Sequence, residues 1–379
     1  MGVIPMRVIF LPGFVSPQRD YKASDAVGYG ITAAEALSEA LSEGGVDVVA
    51  VKPRRRPSPD MERQRLAWIL DGYKALVDLD LQSSDLIFIF HSFQHFPSEV
   101  RRILLDLRKR VPVVGYTHGS HWDPTDLFRF IHYPGMEVTD LANLLCLDRV
   151  LLPSHYLRGV LLETIAKWQP EAASQLEGRM AVVGLPINIR RLDAYRTQER
   201  FDRPTIVFNH SLIPSKAPEV FLEVAAGVLE KHDINVVVTR QVEDEALNRC
   251  FRELSARFPG RLIFGETYSL PEYFRILWKA DFQISTALHE GLGIATLEAM
   301  YAYNCCLLPN RCSYPEITGG LDDALYSSTE ELVHKIDYYL QNEAARRKVA
   351  AALHQQSLRY TAEPVASRLV AVFSELSHE

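Results

Sequence analysis

From its start to Leu308 the chain repeats one pattern: a short apolar run, a turn, then an amphipathic stretch with apolar residues three and four apart. A run of four or five apolar residues suits a strand buried on both faces, and the amphipathic stretch suits a helix that covers it. Strands joined through helices lie parallel, because the crossover returns the chain to the same end of the sheet. The strands of a first series are expected at 7–11, 47–51, 86–90, 113–117, 150–152 and 181–184, with helices from Thr32 and at 64–77, 99–109, 141–145 and 157–168. Thr32 with Glu35 reads as a capping box opening the first helix, and Gly44-Gly45 as its stop. At 186–203 the texture turns charged and arginine-rich, as in a domain linker. A second series comes after it, with strands at 205–209, 235–239, 262–264, 282–285 and 305–308 and helices at 218–231, 245–258 and 271–279. Helices at 329–342, 344–355 and 364–376 end the chain.

The fold expected is α/β: two doubly wound Rossmann-like domains facing an interdomain cleft. Residues 1–185 would form the N-terminal domain and 186–355 the C-terminal one, with 356–379 a helix returning to the first. The first crossover holds Gly13, Gly28 and Gly30 but no GxGxxG fingerprint, so it does not specify a dinucleotide.

At 379 residues, 47% hydrophobic and 23% charged, the chain has the composition of a globular protein of two or three domains. A net charge of -7 gives no global attraction to nucleic acid or anionic membranes. The first residues lack the layout of a signal peptide, and no apolar run nears the ~20 residues of a membrane span. Five cysteines with no CxxC pair read as reduced, mostly buried thiols of a cytoplasmic protein.

The stretch 282–303, FQISTALHEGLGIATLEAMYAY, carries the chemistry. A buried strand breaks at a glycine turn, and a helix starts with Ile294, Leu297, Met300 and Tyr301 on one face. The first N–H groups of such a helix lack intrahelical partners and sit at the positive end of its dipole, which suits a phosphate. Glu290 in the turn and Glu298 in the second helical turn can accept from sugar hydroxyls. Phosphate on the backbone and hydroxyls on two carboxylates describe a nucleotide-sugar. The bland reading is a common glycine turn with glutamates favoured near a helix start for dipole reasons alone.

HEGLGIATLEAM resembles the signature of retaining nucleotide-sugar glycosyltransferases of the two-Rossmann GT-B architecture, in which two glutamates stand with seven residues between them, here Glu290 and Glu298; the resemblance makes 1–185 the acceptor-side domain and 186–355 the nucleotide-sugar-binding one. Gly28-Tyr29-Gly30 with the helix and strand after it, VVGYTH ending at His118, and DRVLLPS at 148–154 are similar to that family's N-terminal domain. IVFNHSLIPSKAPEVFLEV and LLPNRCSYPEI resemble more narrowly the tRNA-queuosine mannosyltransferase branch, from which the N-terminal half departs. The resemblance implies metal-independent transfer of a hexose from a UDP- or GDP-sugar with retention, and no cofactor. It implies His118, Lys216 and Glu290 as catalytic residues, Lys216 taking up pyrophosphate charge. It implies Gly13, Gly30, Asn209, Arg240, His289, Gly291, Leu292, Gly293 and Glu298 as donor-binding residues, with Glu298 on the ribose and Tyr314 to Glu316 shaping the nucleotide pocket. The family's arginine five residues before the lysine is Ser211 here, and Arg240 is the candidate replacement.

Two other readings compete. A catalytically idle sugar-nucleotide- or glycan-binding protein on the same fold is favoured by the arginine missing at Ser211. A metal-dependent hydrolase would use His91, His95, His118, His121 and Asp123, which come after two strands, although neither histidine spacing is a metal signature. The acceptor stays open among a glycan, a small molecule, a lipid-linked sugar and a modified tRNA. For tRNA, Arg54-Arg55-Arg56, Arg101-Arg102 and Arg108-Lys109-Arg110 would be natural contacts. For a lipid-linked acceptor, 104–110 is the one faint amphipathic basic candidate.

Overall fold

A computed structural model of the protein describes residues 6–13, 29–51, 61–126, 135–242, 244–265 and 268–376. They fall into two compact units, one comprising the chain up to Pro186 together with the last helix, the other 187–361.

The first unit runs β1 (Arg7–Leu11), α1 (Tyr29–Glu43), β2 (Asp47–Ala50), α2 (Met61–Asp78), β3 (Asp85–Ile89), α3 (Pro97–Asp106), β4 (Val113–Tyr116), α4 (Met136–Leu145), β5 (Arg149–Leu152), α5 (His155–Trp168), α6 (Pro170–Glu177) and β6 (Met180–Val182). Its strands form one sheet in the order β2-β1-β3-β4-β5-β6, every neighbouring pair parallel. The central strand β3, DLIFI, is buried at every position, which explains why it reads as an unbroken apolar run rather than an alternation.

The second unit runs α7 (Ile189–Asp193), β7 (Thr205–Phe208), α8 (Pro218–Lys231), β8 (Asn235–Val238), α9 (Glu245–Arg257), β9 (Leu262–Ile263), α10 (Leu270–Lys279), β10 (Phe282–Ile284), α11 (Ile294–Tyr301), β11 (Cys305–Pro309), α12 (Tyr314–Ile317), β12 (Leu325–Tyr326), α13 (Thr329–Gln341) and α14 (Glu343–Ser357). Its parallel sheet has the order β12-β11-β10-β7-β8-β9. The last helix, α15 (Ala362–Leu376), packs on α1, and its Phe373 ring lies 5.6 Å from Phe88 of β3.

Both sheets are doubly wound, and in each the direction of winding reverses once, between β1 and β3 in the first and between β7 and β10 in the second. Loops at the carboxyl ends of those strands splay apart and leave a crevice, the general ligand position of such sheets. The segments that matter are therefore those after β1, β3, β7 and β10.

Several expectations need correction. Helix α1 begins at Tyr29, so Thr32 is no cap but a buried residue of the helix interior. The arginine-rich stretch holds the short helix α7, whose Asn188 cap accepts from the Arg191 amide. The short elements α6, α12 and β12 were not expected, because two- to eight-residue elements carry little periodic signal. Only Cys305 and Cys306 are buried; Cys146 and Cys312 are half-buried and Cys250 is exposed, so the thiols are not mostly buried. Gly28 and Arg54-Arg55-Arg56 lie outside the described residues. Among the described residues, no helix is long and apolar enough to cross a membrane.

Candidate active site

In the second unit the crevice is built by the loops at the carboxyl ends of β7 and β10. After β7 come Asn209 and His210, both buried, and then Pro214–Lys216, a single 3-10 turn closed by Ala217 in the left-handed region. After β10 the chain runs through Thr286 and His289 to Gly293, where α11 starts. Two ties hold these loops together: Thr286 Oγ1 donates to the Lys216 and Ala217 carbonyls at 2.8 and 2.9 Å, and the Leu288 amide donates to the Ser215 carbonyl at 2.8 Å. Lys216 and Glu290, far apart in sequence, are thereby fixed face to face.

Lys216 Nζ donates to Glu290 Oε2 at 2.9 Å and to the His289 carbonyl at 2.7 Å. An ammonium has three donors, and these contacts use two. Both side chains are largely enclosed, 14% and 15% exposed, so Lys216 is not a solvated loop lysine. Burial works to raise the Glu290 carboxyl, but Lys216 and then His210 outweigh it and hold the group below its ordinary range. Glu290 is therefore a carboxylate at neutral pH.

Gly293 opens α11 with φ 94°, a conformation that glycine adopts without strain. A Cβ there would stand 3.3 Å from Glu290 Cγ and 3.6 Å from both Tyr314 and Ile317. Among the described residues no side chain caps α11, and its first turn holds no acid. The helix start is held by neighbouring residues instead: Asn209 Nδ2 donates to the Ala295 carbonyl at 2.7 Å. Tyr314, fully buried, shares a 2.6 Å hydrogen bond with Ser285 and so braces the turn from below.

Glu298, one turn further on, is buried. Tyr273 Oη on α10 donates to Glu298 Oε2 at 2.7 Å, and Asn209 Nδ2 lies 3.2 Å from the same hydroxyl. Burial pushes the Glu298 carboxyl up to about 7, against the opposing pull of Tyr273 and Arg240. Arg240, two residues past β8, has its guanidinium 5.7 Å from the Tyr273 ring centroid, and its Nε is buried with no hydrogen-bond partner among the described residues. The Oδ1 of Asn209 is likewise unpartnered among them. Buried donors and acceptors without partners are expensive, and here they surround one carboxylate.

Of the residues singled out in the second unit, Asn209, Lys216, Arg240, His289, Gly291, Leu292, Gly293, Glu290 and Glu298 all belong to the β7, β8 and β10 ends and the α11 start. Tyr273, His210 and Gln283 were missed. Tyr273 sits among Leu270, Phe274 and Leu277 on the buried stripe of α10, where periodicity marks it as core. His210 stands in the IVFNHSLIPSK stretch and Gln283 in the strand that opens FQISTALHEG, but no spacing gives either a role; only their pairing in space reveals it. A separate groove of about 520 Å3 on the exposed side of α10 is bordered by Tyr195, Arg196, Phe201, Arg275 and Lys279. Its cations already lie over aromatic rings, and Lys279 pairs with Glu199, so it holds none of the groups just described.

In the first unit, Gly13 comes just after β1 and lies against β3's exit: a Cβ would stand 3.0 Å from Gln94 and 3.4 Å from His91. Gly30 falls in the first turn of α1. His118, two residues past β4, contacts the Phe90 carbonyl through Nε2 at 2.5 Å and stacks on Tyr116. A carbonyl only accepts, so Nε2 carries the proton and Nδ1 presents a lone pair. Burial takes His118 down to about 4, against the Phe90 bond, so the ring is neutral near pH 7.

The other histidines part company. His91 is 5.0 Å from His118, ring to ring. His95 packs edge-on to Tyr73 and over Gly72, where a Cβ would stand 2.3 Å from its Nε2. His121 sits 3.7 Å from buried Asp140, and Asp123 accepts from Thr125. Among the described residues no three of His, Cys, Asp and Glu are gathered so as to hold a metal ion. Two basic candidates for RNA contact are also engaged: Arg101 ion-pairs with Asp148 at 2.5 Å and Arg102 with Glu99 at 2.9 Å. Helix α3 stops at Asp106, so 104–110 is not one amphipathic helix.

Residues 193–356 match the family model described as Glycosyl transferases group 1. The tRNA-queuosine alpha-mannosyltransferase of Drosophila melanogaster is 24% identical over 214 residues, 52% of this chain and 56% of that protein. The chain thus spans a little over half the length of this curated relative. Among solved structures, sucrose-phosphate synthase from Thermosynechococcus elongatus aligns with TM-score 0.71 and 14% identity over 98% of this chain and 99% of its own. A UDP-forming alpha,alpha-trehalose-phosphate synthase from Burkholderia xenovorans aligns with TM-score 0.68 and 12% identity over 98% and 99%. The second unit therefore carries, over most of its length, a domain of the Glycosyl transferases group 1 family, and the chain shares the GT-B fold of these solved structures.

Proposed function

We propose that the protein moves a hexose from a UDP- or GDP-sugar to an acceptor with retention and without a metal. The observation that carries the reading is the convergence of Lys216, Glu290, Arg240 and Glu298 on the uncapped start of α11. In this reading the remaining Lys216 donor and the α11 amides take the charge that builds on the diphosphate as the glycosidic bond breaks. Glu298 accepts from the ribose hydroxyls. Glu290 accepts from hydroxyls of the donor sugar. Arg240, whose Nε has no other partner among the described residues, supplies the cation that Ser211 does not, which favours an active transferase over an idle binding protein.

The similarity to a tRNA-queuosine alpha-mannosyltransferase makes GDP-mannose with queuosine-bearing tRNA the first pair to test, and UDP-glucose the second donor. The test is release of nucleoside diphosphate from each donor with and without that tRNA, together with a thermal-shift screen against UDP, GDP and ADP. A matching nucleotide raises the apparent stability by mass action. Release of no nucleotide and no thermal shift with any of the three would end this reading.

A further inference from the structure

We infer that His210 is a positioning residue for Glu290: a neutral imidazole, fixed by Gln283 in the tautomer with the proton on Nδ1, that holds the carboxylate in the orientation the donor sugar meets. The inference rests on the donor-site reading above and adds to it a residue that contacts no substrate.

His210 lies two residues past β7, is 3% exposed, and packs edge-on against Phe208. Its Nε2 lies 3.1 Å from Gln283 Nε2 on β10, and its Nδ1 lies 4.0 Å from Glu290 Oε2. An amide nitrogen only donates, so in this arrangement the imidazole Nε2 accepts and the ring proton is on Nδ1. Reversing the Gln283 amide would let its oxygen accept from an Nε2–H. It would also turn the Nδ1 lone pair toward a carboxylate, which is electrostatically unfavourable. The charge on Glu290 therefore selects the tautomer, and Gln283 secures it.

The charged groups around the ring are Lys216, Arg240 and Glu290. Burial first, then the two cations, keep the imidazole neutral, and Glu290 alone opposes them. At 4.0 Å the Nδ1–H contact with Oε2 is an electrostatic one rather than a hydrogen bond. Lys216 Nζ reaches the same oxygen at 2.9 Å. Two positive ends on one oxygen fix the rotation of the carboxylate and direct Oε1 to the ligand. The backbone of Glu290 is held as well, its carbonyl accepting from Ser313 Oγ at 3.0 Å.

The tautomer is measured first, on the full-length protein without substrate, from the ring nitrogen shifts of His210. A protonated Nδ1 and a bare Nε2 from pH 5.5 to 8 are expected; Nε2–H or an imidazolium in that range overturns the inference. Turnover is then read as cleavage of UDP-glucose or GDP-mannose, whichever the native protein uses. His210→Asn keeps a donor at the Nδ1 position and is expected within threefold of native kcat, whereas His210→Gln places its amide at the Nε2 position and is expected to lower kcat ten- to a hundredfold with KM within threefold. In a Glu290→Gln background, His210→Gln is expected to change kcat less than twofold, since residues acting as a unit are not additive. Equal losses in Asn and Gln variants, or full additivity with Glu290→Gln, would mark His210 as mere packing. If Glu290→Gln and Lys216→Ala also leave turnover intact, the donor-site reading falls and takes this inference with it; if they lower it sharply while His210→Gln leaves kcat within threefold of native, only the inference falls.

Discussion

Replacing Glu298 with glutamine should make the protein more stable and its donor site worse. Burial raises the Glu298 carboxyl from its ordinary 4.5 to about 7. The linkage has a definite sign: between these two values the unfolded chain has released the proton and the folded one has kept it, so folding takes up a proton and stability falls as pH rises. Below about pH 4.5 the group costs nothing; above pH 7 the cost is complete, and 2.5 pH units at ~1.36 kcal/mol each give about 3 kcal/mol. Glutamine keeps the shape and an oxygen for the Tyr273 hydroxyl but does not ionise. Glu298→Gln is therefore expected to match the native protein at pH 4.5 and to exceed it by about 3 kcal/mol at pH 8, roughly 6–12 °C in the melting of the second unit. The same carboxylate, if it accepts from ribose, must be ionised when nucleotide is bound. Native affinity should then climb with pH and level off above pH 7, falling up to tenfold per unit below it. Glu298→Gln should lose that slope and weaken binding by roughly ten- to a hundredfold, the worth of a charged hydrogen bond. Calorimetric melting from pH 4.5 to 8 and nucleotide titration over the range in which the protein stays folded measure both effects. A stability difference that is the same at both ends of the range, or unchanged nucleotide affinity, refutes the reasoning.

Lys216→Ala leaves the Glu290 carboxylate enclosed without its cation; turnover should fall by roughly a hundred- to a thousandfold, and the protein should lose about 3 kcal/mol or more at pH 7. Steady-state kinetics and denaturant melts check this, and native kinetics would remove Lys216 from the site. Arg240→Met should weaken UDP or GDP binding by roughly ten- to a hundredfold, measured calorimetrically; native affinity would show that Arg240 does not replace the arginine missing at Ser211. Gly293→Ala should destabilise by about 1–2 kcal/mol, since its φ of 94° suits no other L-residue well. It should also lower nucleotide affinity by pressing on Glu290 Cγ; an unchanged melting temperature would contradict the backbone assignment.

What the sequence revealed divides along physical lines. Strands buried on both faces, such as DLIFI at 85–89, announce themselves as apolar runs, and glycine turns announce the start of α11, so the fold and the helix start between Glu290 and Glu298 were readable. The features that were not readable depend on distance in three dimensions. Tyr273 belongs by spacing to a core stripe, and only the structure shows its hydroxyl turned onto Glu298. His210 and Gln283 lie 73 positions apart and meet because β7 and β10 are neighbours at the point where the second sheet reverses. A doubly wound sheet brings its first and fourth strands together there, so residues just past β7 and just past β10 become each other's environment while the chain between them passes through two further strands. Motif spacing within one loop can therefore find Glu290 and Glu298, but the groups that set their charge arrive from β7, β8 and α10. In this fold, chemistry is legible where it is local; the tuning of that chemistry is carried by sheet order.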